Sequence, residues 1–183
     1  MDFIKTEIPE IILCKPTVFG DDRGYFFETF KQDAFENFIG TKINFCQDNE
    51  AKSFKGVLRG LHYQLPPFAQ AKLVRVIKGK VLDVVVDIRK KSPTFGKSLS
   101  IELSEENKLQ LFIPKGFAHG YITLENDTIF SYKVDNSYSQ ERERGIIYND
   151  TRLNIDWKLP LSDLIISEKD KKQPLFLEAD LFE

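Results

Sequence analysis

The chain has 183 residues, with 26 basic and 28 acidic side chains and a formal net charge of −2. Dedicated nucleic-acid-binding proteins normally carry a basic excess, so DNA and RNA are not expected partners. A chain of this length can bury a sizeable core, and we expect a single domain over residues 1–183.

The start of the chain and the two cysteines bear on its location. The segment MDFIKTEIPE is too short and too charged for a signal peptide, and the sequence has no run of 18 apolar residues. The two cysteines, Cys14 and Cys46, form no Cys-x-x-Cys motif. We therefore expect a cytoplasmic protein with no membrane partner, in which both thiols are unpaired.

The composition favours β-strands, because the chain contains 16 Phe, 6 Tyr and 1 Trp, and aromatic side chains pack well on a pleated surface. An early exception is KQDAFENFIG, where Phe35, Phe38 and Ile39 at helical spacing predict a helix that ends at Gly40. Later segments alternate with a period of two between turn sequences, which predicts an all-β sandwich or barrel. The tail from Leu159 onward is predicted to be irregular, with a short helical turn.

The segment AKLVRVIKGKVLDVVVDIRKKS reads as two strands joined at Lys78-Gly79. A two-residue hairpin loop at this point would place Val74 opposite Asp83. Lys72 would then lie diagonal to Asp83 on the same face of the sheet.

The stretch RGLHYQ places an arginine and a histidine close together within a predicted strand. Strict alternation would put Arg59 and His62 on opposite faces. Gly60 between them is typical of a β-bulge, which re-aims neighbouring side chains and is common beside active sites. By itself the stretch favours a hydrogen-bonded core or rim histidine and an ion-paired arginine over a site.

Metal chemistry is not expected, because the chain has only 2 histidines, His62 and His119 in FAHGY. Many small β-barrels hold their metal with three histidines, and no Cys-x-x-Cys or carboxylate-histidine spacing replaces them here. We predict no catalytic metal and no cofactor. The remaining chemistry is general acid–base catalysis by His, carboxylate and Tyr side chains.

Several segments occur in an order that resembles one family, the nucleotide-sugar 3,5-epimerases acting on dTDP-4-dehydro-6-deoxyglucose. They are FGDDRGYFFETF, FCQDNE, GVLRGLHYQ, KLVRVIKGKVLDVVVDIRKKSPTFG, IPKGFAHGY, YKVDNSY, NDTRLNIDW and ISEKD. The resemblance covers nearly the whole chain and implies a cupin-like jelly-roll β-barrel with short peripheral helices. Its core is expected over about residues 45–150, with the N-terminal strands and C-terminal tail packed around it. The resemblance also implies a homodimer, in which the neighbouring subunit's N-terminal strands partly roof the site.

The family pattern assigns roles to residues of this chain. By the resemblance, His62 is the base and Tyr132 the acid. Asp170 is the carboxylate that partners the histidine, Lys72 lies near the substrate's ketone, and Asp83 is a supporting residue. The expected substrate-binding residues are Phe19, Arg23, Glu28, Gln47, Asn49, Arg59, His119, Tyr138, Glu143 and Lys169, with Tyr138 stacking on the nucleotide base.

The implied reaction inverts carbons 3 and 5 of dTDP-4-dehydro-6-deoxy-D-glucose through an enolate, giving dTDP-4-dehydro-L-rhamnose. This is a step of dTDP-L-rhamnose biosynthesis, which supplies cell-surface polysaccharide. A base removes the proton beside the ketone, a cation stabilises the enolate oxygen, and an acid returns a proton from the opposite face.

Three alternatives remain. A ketoisomerase of the same fold would carry His-x-His after Arg-Gly, whereas this chain has Gln64 at the second position. An epimerase that inverts only one carbon is not excluded by any residue. A non-catalytic sugar-nucleotide binding module would lack an acid or a base, whereas the four catalytic positions are all occupied by suitable residues.

Overall fold

The computed structural model describes residues 1–183, which form fourteen strands and one α-helix. The strands are β1 (Asp2–Lys5), β2 (Ile12–Lys15), β3 (Val18–Asp21), β4 (Gly24–Phe27), β5 (Gln47–Ser53), β6 (Val57–Gln64), β7 (Lys72–Lys78), β8 (Lys80–Asp87), β9 (Ser98–Ser104), β10 (Gln110–Ile113), β11 (Phe117–Thr123), β12 (Thr128–Val134), β13 (Glu143–Gly145) and β14 (Ile165–Ile166). The helix α1 spans Gln32–Ile39, and short 3-10 turns span Leu161–Asp163, Asp170–Lys172 and Phe176–Glu178. No helix is long and apolar enough to cross a membrane.

The strands form two larger sheets and one separate hairpin. The first sheet has the order β1-β2-β10-β7-β12-β5, and the second has the order β13-β6-β11-β8-β9, with β14 added in parallel beside β6. The remaining pairs in both sheets are antiparallel. Strands β3 and β4 pair only with each other and form a hairpin outside both sheets.

Apolar side chains fill the space between the two sheets. Val74 and Phe130 of the first sheet belong to the same buried cluster as Val85 and Phe117 of the second. Burial of this apolar surface is the main favourable term that holds the sheets together. Residues of both sheets also line an open cavity.

The outer faces of the sheets are also covered. Phe35 of α1 packs edge-on against Phe112 of β10, with 4.9 Å between ring centroids. On the second sheet, Trp157 and Phe176 of the C-terminal tail share a cluster with Leu82 of β8. Strands β8 and β11 are therefore buried along both faces, which explains their nearly continuous apolar sequence.

The predicted helix is confirmed, including its end. Helix α1 stops at Ile39, and Gly40 adopts the left-handed conformation with φ of 73° while its N–H donates to the carbonyl of Glu36. The tail from Leu159 has little regular structure, as predicted, although it contains three 3-10 turns and β14.

The predicted β7–β8 hairpin is wrong. Strand β7 lies between β10 and β12 in the first sheet, whereas β8 lies between β11 and β9 in the second. Val74 is therefore not paired with Asp83, and Lys72 does not share a sheet face with it. The chain crosses between sheets at Gly79, where a Cβ would lie 2.4 Å from the hydroxyl oxygen of Thr128. Glycine permits this tight crossing because it has no side chain and tolerates a φ of 76°.

Candidate active site

A cavity of about 510 Å³ opens between the two sheets. Its lining comes from β5, β6, β7, β11 and β12 and from the tail segment that contains β14. Seven of the predicted site residues line it: Arg59, His62, Lys72, His119, Tyr132, Lys169 and Asp170. Residues far apart in the sequence are thus brought to one concave, partly apolar surface, which is typical of small-molecule sites.

A bulge in β6 allows Arg59 and His62 to line the same cavity. His62 is paired with His119 on β11, and Arg59 is paired with Tyr121, so two residues of β6 oppose one residue of β11 between these pairs. Gly60 has a φ of 132°, and a Cβ there would lie 2.4 Å from the Cα of Gly120. The bulge predicted from the glycine is confirmed, and only glycine fits at this point.

His62 is held by a buried carboxylate. Its Nε2 lies 2.5 Å from Oδ1 of Asp170, which is in the tail. Burial opposes ionisation of Asp170, but the hydrogen bond and the charge of His62 outweigh it and keep the pKa of this carboxyl below its usual value. An ionised Asp170 orients the ring, while the other ring nitrogen has no hydrogen-bond partner within the chain. This is the arrangement of a general base.

Lys72 offers a cation that is not committed to an ion pair. No salt bridge or hydrogen bond within the chain engages its ammonium group. Burial lowers the pKa of Lys72 to about 8, although the charges of Asp83 and Glu143 oppose the shift. Lys72 is therefore protonated at neutral pH and available to an oxygen that gains negative charge.

His119 differs from His62 although it also has a carboxylate partner. Its Nε2 lies 2.8 Å from Oδ2 of Asp83, and both side chains are buried. Burial lowers the pKa of His119, and Asp83 opposes this shift. His119 is therefore suited to hydrogen bonding as a neutral ring, with Asp83 as its buried partner.

Tyr132 lies on β12, in the sheet opposite the one that carries His62. Burial raises the pKa of Tyr132, and the nearby charge of Arg59 opposes the rise. The phenol thus keeps its proton at neutral pH and can donate it. A candidate base and a candidate acid therefore enter the cavity from opposing sheets.

A polar cluster lies at the mouth of the cavity. The Tyr138 hydroxyl donates to Glu143 at 2.8 Å, and the Lys169 ammonium lies 2.5 Å from the same carboxylate. Burial opposes ionisation of Glu143, but the hydrogen bonds from Lys169 and Tyr138 outweigh it and lower the pKa of this carboxyl. Gln47 and Asn49 line an adjoining space of about 210 Å³ that also contacts His62, Lys72 and Tyr132.

Comparison with known proteins identifies the family. A family model for dTDP-4-dehydrorhamnose 3,5-epimerase matches residues 5–178. The chain belongs to the dTDP-4-dehydrorhamnose 3,5-epimerase family. A relative of that name from Shigella flexneri is 54% identical over 182 residues, covering 100% of this chain and 99% of the relative.

Solved structures agree with this family assignment. The dTDP-4-dehydrorhamnose 3,5-epimerase of Elizabethkingia anophelis NUHP1 is 49% identical, covers 97% of each chain and superimposes with a TM-score of 0.94. The dTDP-6-deoxy-D-glucose-3,5-epimerase of Legionella pneumophila Philadelphia 1, in complex with dTDP-4-keto-L-rhamnose, is 44% identical, with coverage of 100% and 97% and a TM-score of 0.95. A 3'-monoepimerase of Streptomyces bikiniensis, in complex with dTDP-quinovose, is 30% identical, with coverage of 94% and 86% and a TM-score of 0.87. The predicted cupin-like jelly-roll class is confirmed for this member of the epimerase family.

Three predicted residues of the epimerase pattern lie away from the cavity of their own chain. Phe19 and Arg23 are on the β3–β4 hairpin, and Glu28 directly follows it. The Arg23 guanidinium pairs with Asp21 at 2.5 Å, on the exposed surface. The other predicted residues line the cavity or its mouth, apart from Asp83, which reaches the cavity through His119.

Sequence reasoning missed two aromatic residues of the epimerase cavity. Tyr121 and Phe130 line it and stack on each other, with 4.1 Å between ring centroids. Each lies two positions from a predicted site residue, Tyr121 after His119 and Phe130 before Tyr132. The strand period of two, applied outward from the motif residues, would have found both.

Proposed function

We propose that the chain inverts carbons 3 and 5 of dTDP-4-dehydro-6-deoxy-D-glucose and gives dTDP-4-dehydro-L-rhamnose. One observation carries the proposal. His62, paired with Asp170, lines the cavity from one sheet, and Tyr132 lines it from the opposing sheet. Relatives at 54% and 49% identity bear the name of this activity. The enzyme would then be an isomerase that serves dTDP-L-rhamnose biosynthesis and, through it, cell-surface polysaccharide.

The proposed mechanism proceeds through an enolate. The free nitrogen of His62 removes the proton from a carbon beside the ketone, while Asp170 stabilises the imidazolium that forms. The ammonium of Lys72 stabilises the negative charge that develops on the ketone oxygen. Tyr132 then gives its proton to the opposite face of the same carbon, which inverts it. Exchange with solvent removes the proton from His62 and restores the one on Tyr132, and the same steps then invert the second carbon. These steps require no metal and no cofactor.

The proposed binding mode continues from the cavity to its mouth. Arg59 lies beside the sugar site, where its planar guanidinium can donate to two oxygens at once and stays charged. Tyr138 presents an exposed ring on which a nucleotide base can stack. At the mouth of the cavity, Gln47, Asn49, Glu143 and Lys169 are assigned the remaining contacts with the substrate. His119 is assigned a contact with the sugar.

The proposed assembly is a homodimer of single-domain subunits. The β3–β4 hairpin exposes large aromatic rings, including Phe26, which is 71% exposed, and monomeric proteins rarely expose clustered apolar surface. In the dimer this hairpin would roof the partner subunit's cavity and supply Phe19, Arg23 and Glu28. A cytoplasmic location accords with the two free thiols.

Substitution of Phe26 by serine tests this assembly. We expect Phe26→Ser to shift the protein from dimer to monomer at micromolar concentration, because it removes an exposed apolar anchor, and to lower kcat/KM by more than about tenfold. Sedimentation velocity and turnover measure the two effects. Phe54→Ser is the matched control, since Phe54 is similarly exposed, at 63%, on a different part of the chain. A dimeric, fully active Phe26→Ser protein would contradict the proposed role of the hairpin.

Isotope exchange tests the proposed reaction. The protein is incubated with dTDP-4-dehydro-6-deoxy-D-glucose in heavy water, and the sugar ring is followed by mass spectrometry and proton NMR. Deuterium at both carbons beside the ketone, with inverted product trapped by a downstream reductase, is the expected result. Deuterium at one carbon would instead support a single-carbon epimerase, as in the relative that is 30% identical. The absence of exchange would overturn the proposed activity.

The pKa of Lys72 predicts how activity depends on pH. Because this pKa is about 8 and the cation is the useful form, kcat/KM should fall as the pH rises through about 8. In Lys72→Met this alkaline decline should be absent, and kcat/KM at neutral pH should be lower by about 10²–10³-fold. Lys78→Met, at the exposed end of the same strand, should retain the decline. A decline that persists near the same pH in Lys72→Met would assign it to another group.

A further inference from the structure

Gln64, the last residue of β6, is a buried amide whose hydrogen-bonding groups are directed at the backbone. Its side chain is 4% exposed. Nε2 donates to the carbonyl oxygens of Phe68 and Ser137 at 2.7 and 3.1 Å, and Oε1 accepts from the N–H of Ser139 at 2.6 Å. Both amide hydrogens and one oxygen lone pair are thereby used within the protein. Gln64 is not free to bind a substrate directly.

Two of these hydrogen bonds flank Tyr138. The Ser137 carbonyl belongs to the peptide group before Tyr138, and the Ser139 N–H belongs to the peptide group after it. Residues 135–142 connect β12 to β13 without regular secondary structure, so no sheet pairing fixes this segment. No other side chain bonds to either of these two groups. Gln64 thus holds the backbone on both sides of one aromatic residue.

The Tyr138 ring has little packing of its own to define its position. The residue is 57% exposed, and its hydroxyl donates to Glu143, which is the register partner of Gln64 in the β13–β6 pair. The position of the ring therefore depends on its backbone and on its hydroxyl group. Gln64 is the side chain that bonds to the backbone on both sides of the ring, and Glu143 holds the hydroxyl.

We propose that Gln64 is a positioning residue that sets the nucleotide affinity of the site through Tyr138. The proposal rests on the proposed function, in which Tyr138 stacks on the base of the dTDP moiety. Glutamine is required because it offers two donors and an acceptor in one planar group. A neutral histidine offers one donor and one acceptor, and methionine has a similar length but offers no donor. The difference between Gln64 and a histidine at this position thus changes how the base-binding segment is held.

The decisive experiment is a double-mutant cycle with dTDP as the probe, measured by calorimetry. Gln64→Met should weaken dTDP binding by about tenfold, which is the size expected for loss of one aromatic stacking contact. KM for the sugar nucleotide should rise similarly, while kcat falls by less than about threefold. Tyr138→Ala should weaken dTDP binding by about tenfold in the wild-type background but by less than about threefold in Gln64→Met.

Control variants separate positioning from general loss of stability. Asn107 is a matched amide, since it also bridges three backbone groups, those of Glu102, Ser104 and Leu109, far from the cavity. Asn107→Leu should lower thermal stability without changing dTDP affinity. If Gln64→Met does not fold, Gln64→His keeps one donor and one acceptor, and it should show an intermediate loss of affinity.

Two results would overturn the inference. One is a Gln64 variant that binds dTDP within a factor of two of wild type. The other is an equal effect of Tyr138→Ala in both backgrounds. A wild-type protein that neither binds dTDP nor exchanges deuterium would instead refute the proposed function. The failure of the positioning role and the failure of the activity are therefore distinguishable.

Discussion

Replacement of His62 by alanine is expected to lower kcat by at least about 10³-fold, because it removes the group that we propose takes the proton from the sugar. Deuterium exchange at both carbons beside the ketone should be lost together with product formation. The loss should appear in kcat and kcat/KM alike, since the proton is transferred only in the transition state. Steady-state kinetics and NMR of the sugar ring in heavy water measure both effects.

The structure also predicts a stability cost for this substitution. Asp170 is buried, and His62→Ala leaves its carboxylate without the ring that pairs with it at 2.5 Å. We expect a loss of about 1–3 kcal/mol in the free energy of unfolding, from denaturant titration. His62→Gln is the better-matched variant, because its side-chain amide can still donate to Asp170 but is not basic. An active His62→Gln enzyme would remove His62 from the role of base.

Replacement of Tyr132 by phenylalanine is expected to separate proton removal from inversion. His62 can still remove a proton and return a deuteron to the same face, so exchange should continue within about tenfold of wild type. Formation of inverted product should fall by about 10²–10³-fold, because the donor on the opposite face is missing. The ratio of exchange to inversion, measured by NMR and mass spectrometry, is the informative quantity.

A second tyrosine provides the control for this prediction. Tyr121 lines the same cavity, and its hydroxyl makes no hydrogen bond within the chain. Tyr121→Phe removes the same group without touching the proposed acid, so the ratio of exchange to inversion should change by less than about twofold. If Tyr132→Phe also left this ratio unaltered, Tyr132 would have no part in reprotonation.

Local sequence patterns predicted much of the architecture. The helical spacing before Gly40 predicted α1, the period of two predicted an all-β fold, and Gly60 predicted the bulge that lets Arg59 and His62 share a cavity. Each of these features depends on residues close together in the chain, where backbone preference and side-chain spacing act directly. The ordered motifs further pointed to the epimerase family, which the comparisons bear out.

The tertiary structure decided features that local patterns leave open. Strands β7 and β8 have the sequence of a hairpin, yet they belong to different sheets. The glycine between them permits either a tight turn or a crossing between sheets, so the local sequence does not distinguish the two. The contact of His62 with Asp170 spans 108 positions, and no local pattern predicts it without the family resemblance.

The chain by itself thus determined the class of fold, the bulge and most of the polar residues that line the cavity. Which strands pair, and what Gln64 holds in place, were decided only by tertiary packing. The physical reason is that conformational preferences act between neighbouring residues. The burial of a side chain and the pairing of its hydrogen-bonding groups depend instead on all the segments that pack around it, including those distant in sequence.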